Sequence, residues 1–257
     1  THLTTLGKYA FGVTPNGDQS TNLTHVTVNS SGLGKALDFA AGAFSSIPGL
    51  GSSLTQKDIP TYYVTDLHLG PQTPAFDIAG VFGPALVRVT VDPANDNLAS
   101  DDDVLYNKSF TEILFYPSGR KGAFELRSSV IRIGANVFSN KEYLTGITIT
   151  GTVTSIEETA FKDSKNLAYV RFVGEGTTLT IGDGAFYGCS GLTELVLPEY
   201  TTSIGSDAFR SCTGLTEFTI PSKVKLVGDY AFRSCSGLTV VTLEEGVEEL
   251  GQYVFDY

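Results

Sequence analysis

Apolar residues return at two kinds of spacing in the second half of the chain. A segment of pattern L-x-x-φ-x-φ, with φ apolar, occurs five times: Leu144–Ile149, Leu167–Phe172, Leu192–Leu197, Leu215–Ile220 and Leu238–Leu243. Its last four residues alternate between apolar and other positions, which predicts a short strand with one buried face. Pro198 and Pro221 follow two of the segments, and proline suits a strand end because it has no N–H to continue a ladder. Between the segments a phenylalanine recurs at Phe138, Phe161, Phe186, Phe209, Phe232 and Phe255, at intervals of 23, 25, 23, 23 and 23 residues. Ala or Val precedes each one, and an Ile-Gly-like pair stands four or five residues earlier, as in Ile181-Gly182 and Ile204-Gly205.

A period of this length is the signature of a stacked-repeat solenoid. One unit cannot bury its apolar edge alone. Stacked units can, by pairing their strands in parallel about 4.8 Å apart and piling the phenylalanines in a row behind them. Gly191, Gly214 and Gly237 precede the leucine in three units and predict a left-handed or tight turn into the strand.

The first half carries the same unit under insertions. Phe11, Phe44 and Phe82 are its phenylalanines, and Leu23–Val28, Val64–Leu69 and Leu86–Val91 its strands. A polar loop over 14–21 and a Gly- and Ser-rich loop over 45–60 stretch the spacing. Nine Phe elements and eight strands then predict a single solenoid over 1–257. Residues 1–91 are divergent repeats, 92–130 an inserted region and 131–257 regular repeats. Within the insert, apolar runs on either side of Asn107-Lys108-Ser109 predict a β-hairpin. Neither end shows a polar capping repeat, so the stack reads as a section of a longer array.

The unit L-x-x-I-x-I-P…I-G-x-x-A-F-x-x-C-x-x-L, clearest from Ile181 to Leu243, resembles the BspA-type leucine-rich repeat. The interruption V-L-Y-N-K…I-L-F-Y-P-x-G-R, running from Val104 to Arg120, is similar to an insert of that family. The resemblance implies a solenoid of leucine-rich-repeat type. One face would be a parallel β-sheet and the other short turns or helical segments. It also implies an extracellular or cell-surface protein acting in adhesion, with no catalytic residues and no cofactor to carry over.

Composition narrows the partners. With 28 acidic and 17 basic residues the net charge is −11, which opposes nucleic acid and anionic membrane surfaces. No run of about 18 apolar residues occurs, so no membrane span is expected. Cys189, Cys212 and Cys235 are spaced 23 and 23 and hold one repeat position. They are expected to be a ladder of buried, reduced thiols and not a disulfide framework or a nucleophile. Phosphate-loop, nucleophile-elbow and H-E-x-x-H motifs do not occur.

The third and fifth residues of each strand segment point outward on the sheet. This row is rich in Thr, which β-propensity explains by itself. Its chemically varied members are His25, Asp66, His68, Arg88, Tyr169 and Arg171, and they are the candidate ligand-binding residues. Arginine and tyrosine are enriched at binding hot spots. If the first two units pair in register, His25, Asp66 and His68 cluster and could hold zinc; the plainer reading pairs Asp66 with Arg88. Asp92, Asp96, Asp101, Asp102 and Asp103 are dense enough for calcium, but without EF-hand spacing they read better as a solvated loop. The expected function is non-catalytic binding of a host protein or glycan. The alternative is a structural spacer presenting another domain at the cell surface.

Overall fold

The computed structural model describes residues 65–71 and 85–256, with the backbone of strands Thr5–Leu6, His25–Val28 and Asp38–Phe39. The chain divides into two compact units. One is Thr1–Ser109 with Phe115–Arg120; the other is Phe110–Leu114 with Lys121–Tyr257. The loops over 14–21 and 45–60, and Phe11, Phe44 and Phe82, lie outside the described residues.

The second unit is a parallel β-solenoid. Its front ladder consists of Gly122–Glu125, Leu144–Thr150, Tyr169–Val173 and Glu194–Leu195, followed by a separate pair, Glu217–Ile220 with Val240–Leu243. From Leu144 on, these are the strands that the alternating pattern predicts. Ile147, Ile149, Val170, Leu195, Phe218 and Ile220 point inward and are buried. A rear ladder, also parallel, links Glu112–Phe115, Arg132–Ile133, Ser155–Ile156, Leu179–Ile181, Thr201–Ile204, Leu226–Val227 and Glu249–Leu250. It is built on the Ile-Gly-like pairs. A two-residue strand is too short for alternation to reveal it, so the pattern marked those pairs only as framework.

The third side of each coil is the phenylalanine turn. Phe138, Phe161, Phe186, Phe209 and Phe232 form one buried row. Successive rings are stacked with centroids 4.8, 4.9, 5.3 and 5.2 Å apart, and Phe255 continues the row at 5.6 Å. The backbone makes its own ladder here: the Phe161 N–H donates to the Ala185 carbonyl and the Phe209 N–H to the Ala231 carbonyl, both at 2.7 Å. Residues two before and two after each phenylalanine are left-handed. The pairs are Asn136 and Asn140, Thr159 and Asp163, Gly184 and Gly188, Asp207 and Ser211, and Tyr230 and Ser234. None of the described residues is helical, and these left-handed positions are the reason, since they interrupt any right-handed run.

The glycines before the leucines serve another purpose than a left-handed turn. Gly237 does not have a positive φ, but a Cβ there would stand 2.3 Å from the Thr213 carbonyl oxygen of the preceding coil. Close approach selects glycine.

The three cysteines are buried and free. Each thiol donates to a phenylalanine carbonyl of the preceding coil: Cys189 to Phe161 at 3.0 Å, Cys212 to Phe186 at 3.1 Å and Cys235 to Phe209 at 3.0 Å. The Ser164 hydroxyl does the same for Phe138. One repeat earlier the position belongs to Lys141, which is also buried and whose amine is pushed down to about 8 by that burial.

In the first unit, His25–Val28, Asp66–Leu69 and Arg88–Val91 pair in parallel and in register. Leu67, Leu69 and Val89 are buried behind the sheet. The hairpin inside the predicted insert turns at Asp102-Asp103 and not at Asn107-Lys108-Ser109: Leu98–Asp101 pairs antiparallel with Val104–Asn107. Its turn residues Asp102 and Asp103 have φ of 48° and 61°, the left-handed pair that suits the twist of a two-residue hairpin loop. The strand Leu98–Asp101 is too polar to stand out in the sequence. Buried Asn95 sets its start: its Nδ2 donates to the Gly70 carbonyl at 2.9 Å, and its Oδ1 accepts from the N–H groups of Asn97 and Leu98.

Candidate functional site

The candidate residues lie on the outward faces of two separate sheets, one in each unit. In the first, register sets His25 beside Asp66 and Asp66 beside Arg88, with Thr27, His68 and Thr90 in the next row. Arg88 Nε lies 3.5 Å from an Asp66 carboxylate oxygen and 3.2 Å from one of Asp103. Thr65 Oγ1 donates to Asp66 Oδ2 at 2.6 Å, and His68 Nδ1 lies 3.0 Å from Thr90 Oγ1. Asp66 is thus engaged by an arginine and a hydroxyl. The His25 side chain lies outside the described residues, and among the described residues no three His, Cys, Asp or Glu gather as metal ligands.

The acidic segment is likewise partnered. Asp92 Oδ1 accepts the Ala94 N–H at 2.8 Å, Asp102 pairs with Arg120, and Asp103 with Arg88. These three carboxylates are taken up by arginines or backbone, and among the described residues no three acidic groups gather as metal ligands.

The second group is Tyr169 and Arg171. Tyr169 sits in one row with Gly146 and Glu194, and Arg171 stands opposite Thr148 in the next outward row. The Tyr169 ring lies flat over Gly146, where a Cβ would meet ring atoms at 2.2–2.6 Å. Glycine therefore makes room for the tyrosine of the following coil. The Arg171 guanidinium covers the ring at 4.4 Å from its centroid. It also donates from Nε and Nη2 to the two oxygens of Glu194, at 2.9 and 3.2 Å. This fork raises the Arg171 pKa and lowers that of Glu194, in both cases chiefly through the hydrogen bonds. The result is a pre-set aromatic, cationic and anionic cluster on an exposed sheet.

One surface escaped the sequence reading. On the turn side, Lys162 and Arg210 both lie over the Tyr187 ring, 5.2 and 5.5 Å from its centroid. Farther along, Arg233 lies over Tyr230, which stacks on Tyr253 at 5.5 Å. Reading the residue after each phenylalanine down the repeats (Ser139, Lys162, Tyr187, Arg210, Arg233) would have found it. The rings present their faces to neighbouring coils, and Arg210 and Arg233 are paired with Asp207 and Asp256, so this file braces the stack. The thiols offer no nucleophile: burial pushes Cys189 up to about 12 and Cys235 to about 11, away from the thiolate.

The chain belongs to the BspA type leucine rich repeat region family, whose model matches six copies over residues 108–179 and 174–257. Among solved structures it is similar to a leucine rich cell surface protein of Faecalibacterium prausnitzii. That match has 26% identity and a TM-score of 0.64, over 86% of this chain and 60% of the other. A leucine-rich repeat protein of Eubacterium ventriosum matches with 19% identity and a TM-score of 0.58, over 98% and 80%. The pneumococcal vaccine antigen PcpA matches with 17% identity and a TM-score of 0.55, over 95% and 75%. These last two likenesses concern the fold alone. The chain spans about 60% of the length of the Faecalibacterium protein. No curated protein matches the sequence significantly.

Proposed function

We propose that this chain is a non-catalytic binding protein of the cell surface or exterior, which adheres to a host protein or glycan through the outward face of its sheet. The observation that carries this reading is the cluster of Tyr169, Arg171 and Glu194. The framework of the coil repeats from unit to unit, whereas this row runs Gly146, Tyr169, Glu194. A rigid sheet holds the side chains in place, so little ordering entropy is lost when a partner arrives. Arg88 and His68 offer a smaller polar patch of the same kind on the other unit. The cell-surface neighbour of similar fold supports the location.

The test is an array of matrix proteins and glycans probed with the chain and with Tyr169→Ala, Arg171→Ala. Binding of one array member by the parent, lost in the double variant at a nearly unchanged melting temperature, is the expected result. No binding by the parent to any member would favour a spacer that presents another domain.

A further inference from the structure

We propose that the second unit is hinged at its front. The face opens between the level of Glu194 and the level of Glu217, and the phenylalanine turn is the pivot.

Backbone bonds tie each level of the stack to the next. On the front, a strand is entered through a pair of bonds to the level before it. The N–H groups of Thr193 and Glu194 both donate to the Ala168 carbonyl, at 3.0 and 3.2 Å, and those of Thr239 and Val240 to the Thr216 carbonyl, at 2.9 and 3.3 Å. Thr216 and Glu217 hold the same positions at the level between, yet neither N–H donates to the Thr193 carbonyl. Glu194–Leu195 and Glu217–Ile220 accordingly belong to separate ladders. Before this gap the levels are tied at the turn, where the Gly188 N–H donates to the Arg210 carbonyl at 2.8 Å. After it, the next backbone pair is Ile204 with Val227 on the rear, a register of one residue where the levels on either side have three and two.

Two side chains account for the gap. Pro221 has no N–H, so it cannot make the bond that the Glu244 N–H gives to the Ile220 carbonyl at 3.1 Å one level later. Phe218 places a ring where Ile147, Val170, Leu195 and Val241 stand at the other levels. That ring is buried and leans across Phe209 and Phe232, at 5.0 and 4.7 Å between centroids and 54° and 63° between planes. An aromatic ring in an aliphatic slot holds the front strands from closing. The turn is intact throughout: Phe186, Phe209 and Phe232 stack at 5.3 and 5.2 Å, and the Phe186 and Phe209 N–H groups donate to Ala208 and Ala231 at 2.8 and 2.7 Å. A stack tied along one side and untied along another bends about the tied side, and local opening falls where backbone bonds are fewest. Tyr169, Arg171 and Glu194 all lie on one side of the hinge, with Glu217 and Val240 on the other. Opening changes the angle between these two sections of the front and leaves each section whole, so the face can fit its curvature to what lies on it.

The experiment is residue-resolved amide hydrogen exchange, followed by NMR on the intact chain. Gly182, Gly205 and Gly228 are equivalent rear amides, donating to the carbonyls of Ile156, Ile181 and Ile204 at 2.8, 2.8 and 2.9 Å. Of the three, Gly228 makes the first rear tie beyond the gap. After correction for intrinsic rates it should exchange about tenfold or more faster than Gly205, while the turn amides of Phe186 and Phe209 match each other. Equal rates for Gly228 and Gly205 overturn the proposal. So does a Phe209 amide as fast as Gly228, because the end of the stack then peels away whole and does not pivot. Phe218→Leu should bring the ratio of Gly228 to Gly205 toward one. A ratio taken within one variant is insensitive to a general loss of stability, and a ratio left unchanged or raised overturns the hinge as assigned.

Discussion

Consider the coil around Phe209 from its two sides. On the turn side, Phe209 is stacked between Phe186 and Phe232 and its N–H is bonded to the next coil; a cysteine thiol of that coil donates to its carbonyl. The stacking and the backbone bond recur one coil earlier and one coil later, and the thiol bond recurs one coil earlier. On the front side, Glu217 and Thr219 are exposed, and the row that begins Gly146, Tyr169, Glu194 continues through Glu217 to Val240. The turn side is over-determined by identical neighbours. The front side is held by its backbone ladder, so its outward side chains are free to differ. A stack of this kind separates the residues that make the fold from those that can recognise something.

The strongest way to break that comparison is to cut the buried row. Phe209→Ala should cost about 3–5 kcal/mol, as for other buried aromatics. Thr219→Ala, on the front of the same coil, should stay within about 0.5 kcal/mol. Denaturant melts measure both. A loss below about 1 kcal/mol for Phe209→Ala would mean that the row does not carry the stack.

Lys141 tests the turn side by charge. It stands where the following coils have a hydroxyl or a thiol, and burial lowers its pKa from 10.5 to about 8. At pH 7 the amine is charged in both the folded and the unfolded chain, and burial disfavours that charge in the folded state. Between about 8 and 10.5 the folded chain binds fewer protons than the unfolded one, and stability gains from this group as pH rises. Lys141→Met should therefore stabilise the protein at pH 7, by about 1–3 kcal/mol. That advantage should shrink toward pH 10. Comparing the variant with the parent at each pH removes the opposite contribution of the cysteines, whose raised pKa values favour the fold less as pH climbs through 9 to 12. A pH-independent difference would show that Lys141 acts through packing alone.

How much of this was legible in the sequence follows the same division. The phenylalanine row, the buried thiols and the regular strands were all legible, because each repeats at a fixed interval and repetition is visible in one chain. So was the pairing of Asp66 with Arg88, once the strands were placed in register. The rear ladder was not, since two residues leave no room for alternation. The turns expected at Gly191, Gly214 and Gly237 are present but without a positive φ, and the left-handed positions fall beside the phenylalanines, on Asn, Thr, Gly, Asp, Ser and Tyr. Residue type misleads there: the inter-coil hydrogen bonds of the turn hold the backbone in that conformation whichever side chain is present. The Tyr169 cluster was half legible. The residues were named, but the ring lying on Gly146 and the fork to Glu194 depend on coils being neighbours, which no local pattern states.

A milder probe exchanges the donor in the thiol ladder. Cys212→Ser keeps a donor for the Phe186 carbonyl, as Ser164 does for Phe138. Cys212→Val removes it and leaves that carbonyl with the Cys189 N–H. The valine variant should be less stable than the serine variant by about 0.5–1.5 kcal/mol. In the parent, a thiol reagent should label the cysteines only after unfolding, and rapid labelling of the native chain would contradict the burial on which the comparison depends.

The smallest effect sharpens the account of the turn itself. Thr159 is a β-branched residue held at φ 54°, two positions before Phe161. Its equivalent one coil later is Gly184, at φ 58°. A Cβ in the left-handed region costs roughly 1–2 kcal/mol, and glycine is exempt. Against that relief stands the larger entropy that glycine gives the unfolded chain, about 0.4–1 kcal/mol. The substitution also removes the hydrogen bond from Thr159 Oγ1 to Asn136 Oδ1 at 3.0 Å, an exposed contact of small worth. Thr159→Gly should thus raise stability by about 0.5 kcal/mol, the difference of these terms. Thr159→Ala separates the contributions, because it loses the same hydrogen bond but keeps the Cβ. Glycine should be the more stable of the two in denaturant melts. If alanine equals it, the inter-coil bonds hold the turn without strain, and the turn side tolerates any residue at this position as freely as the front does.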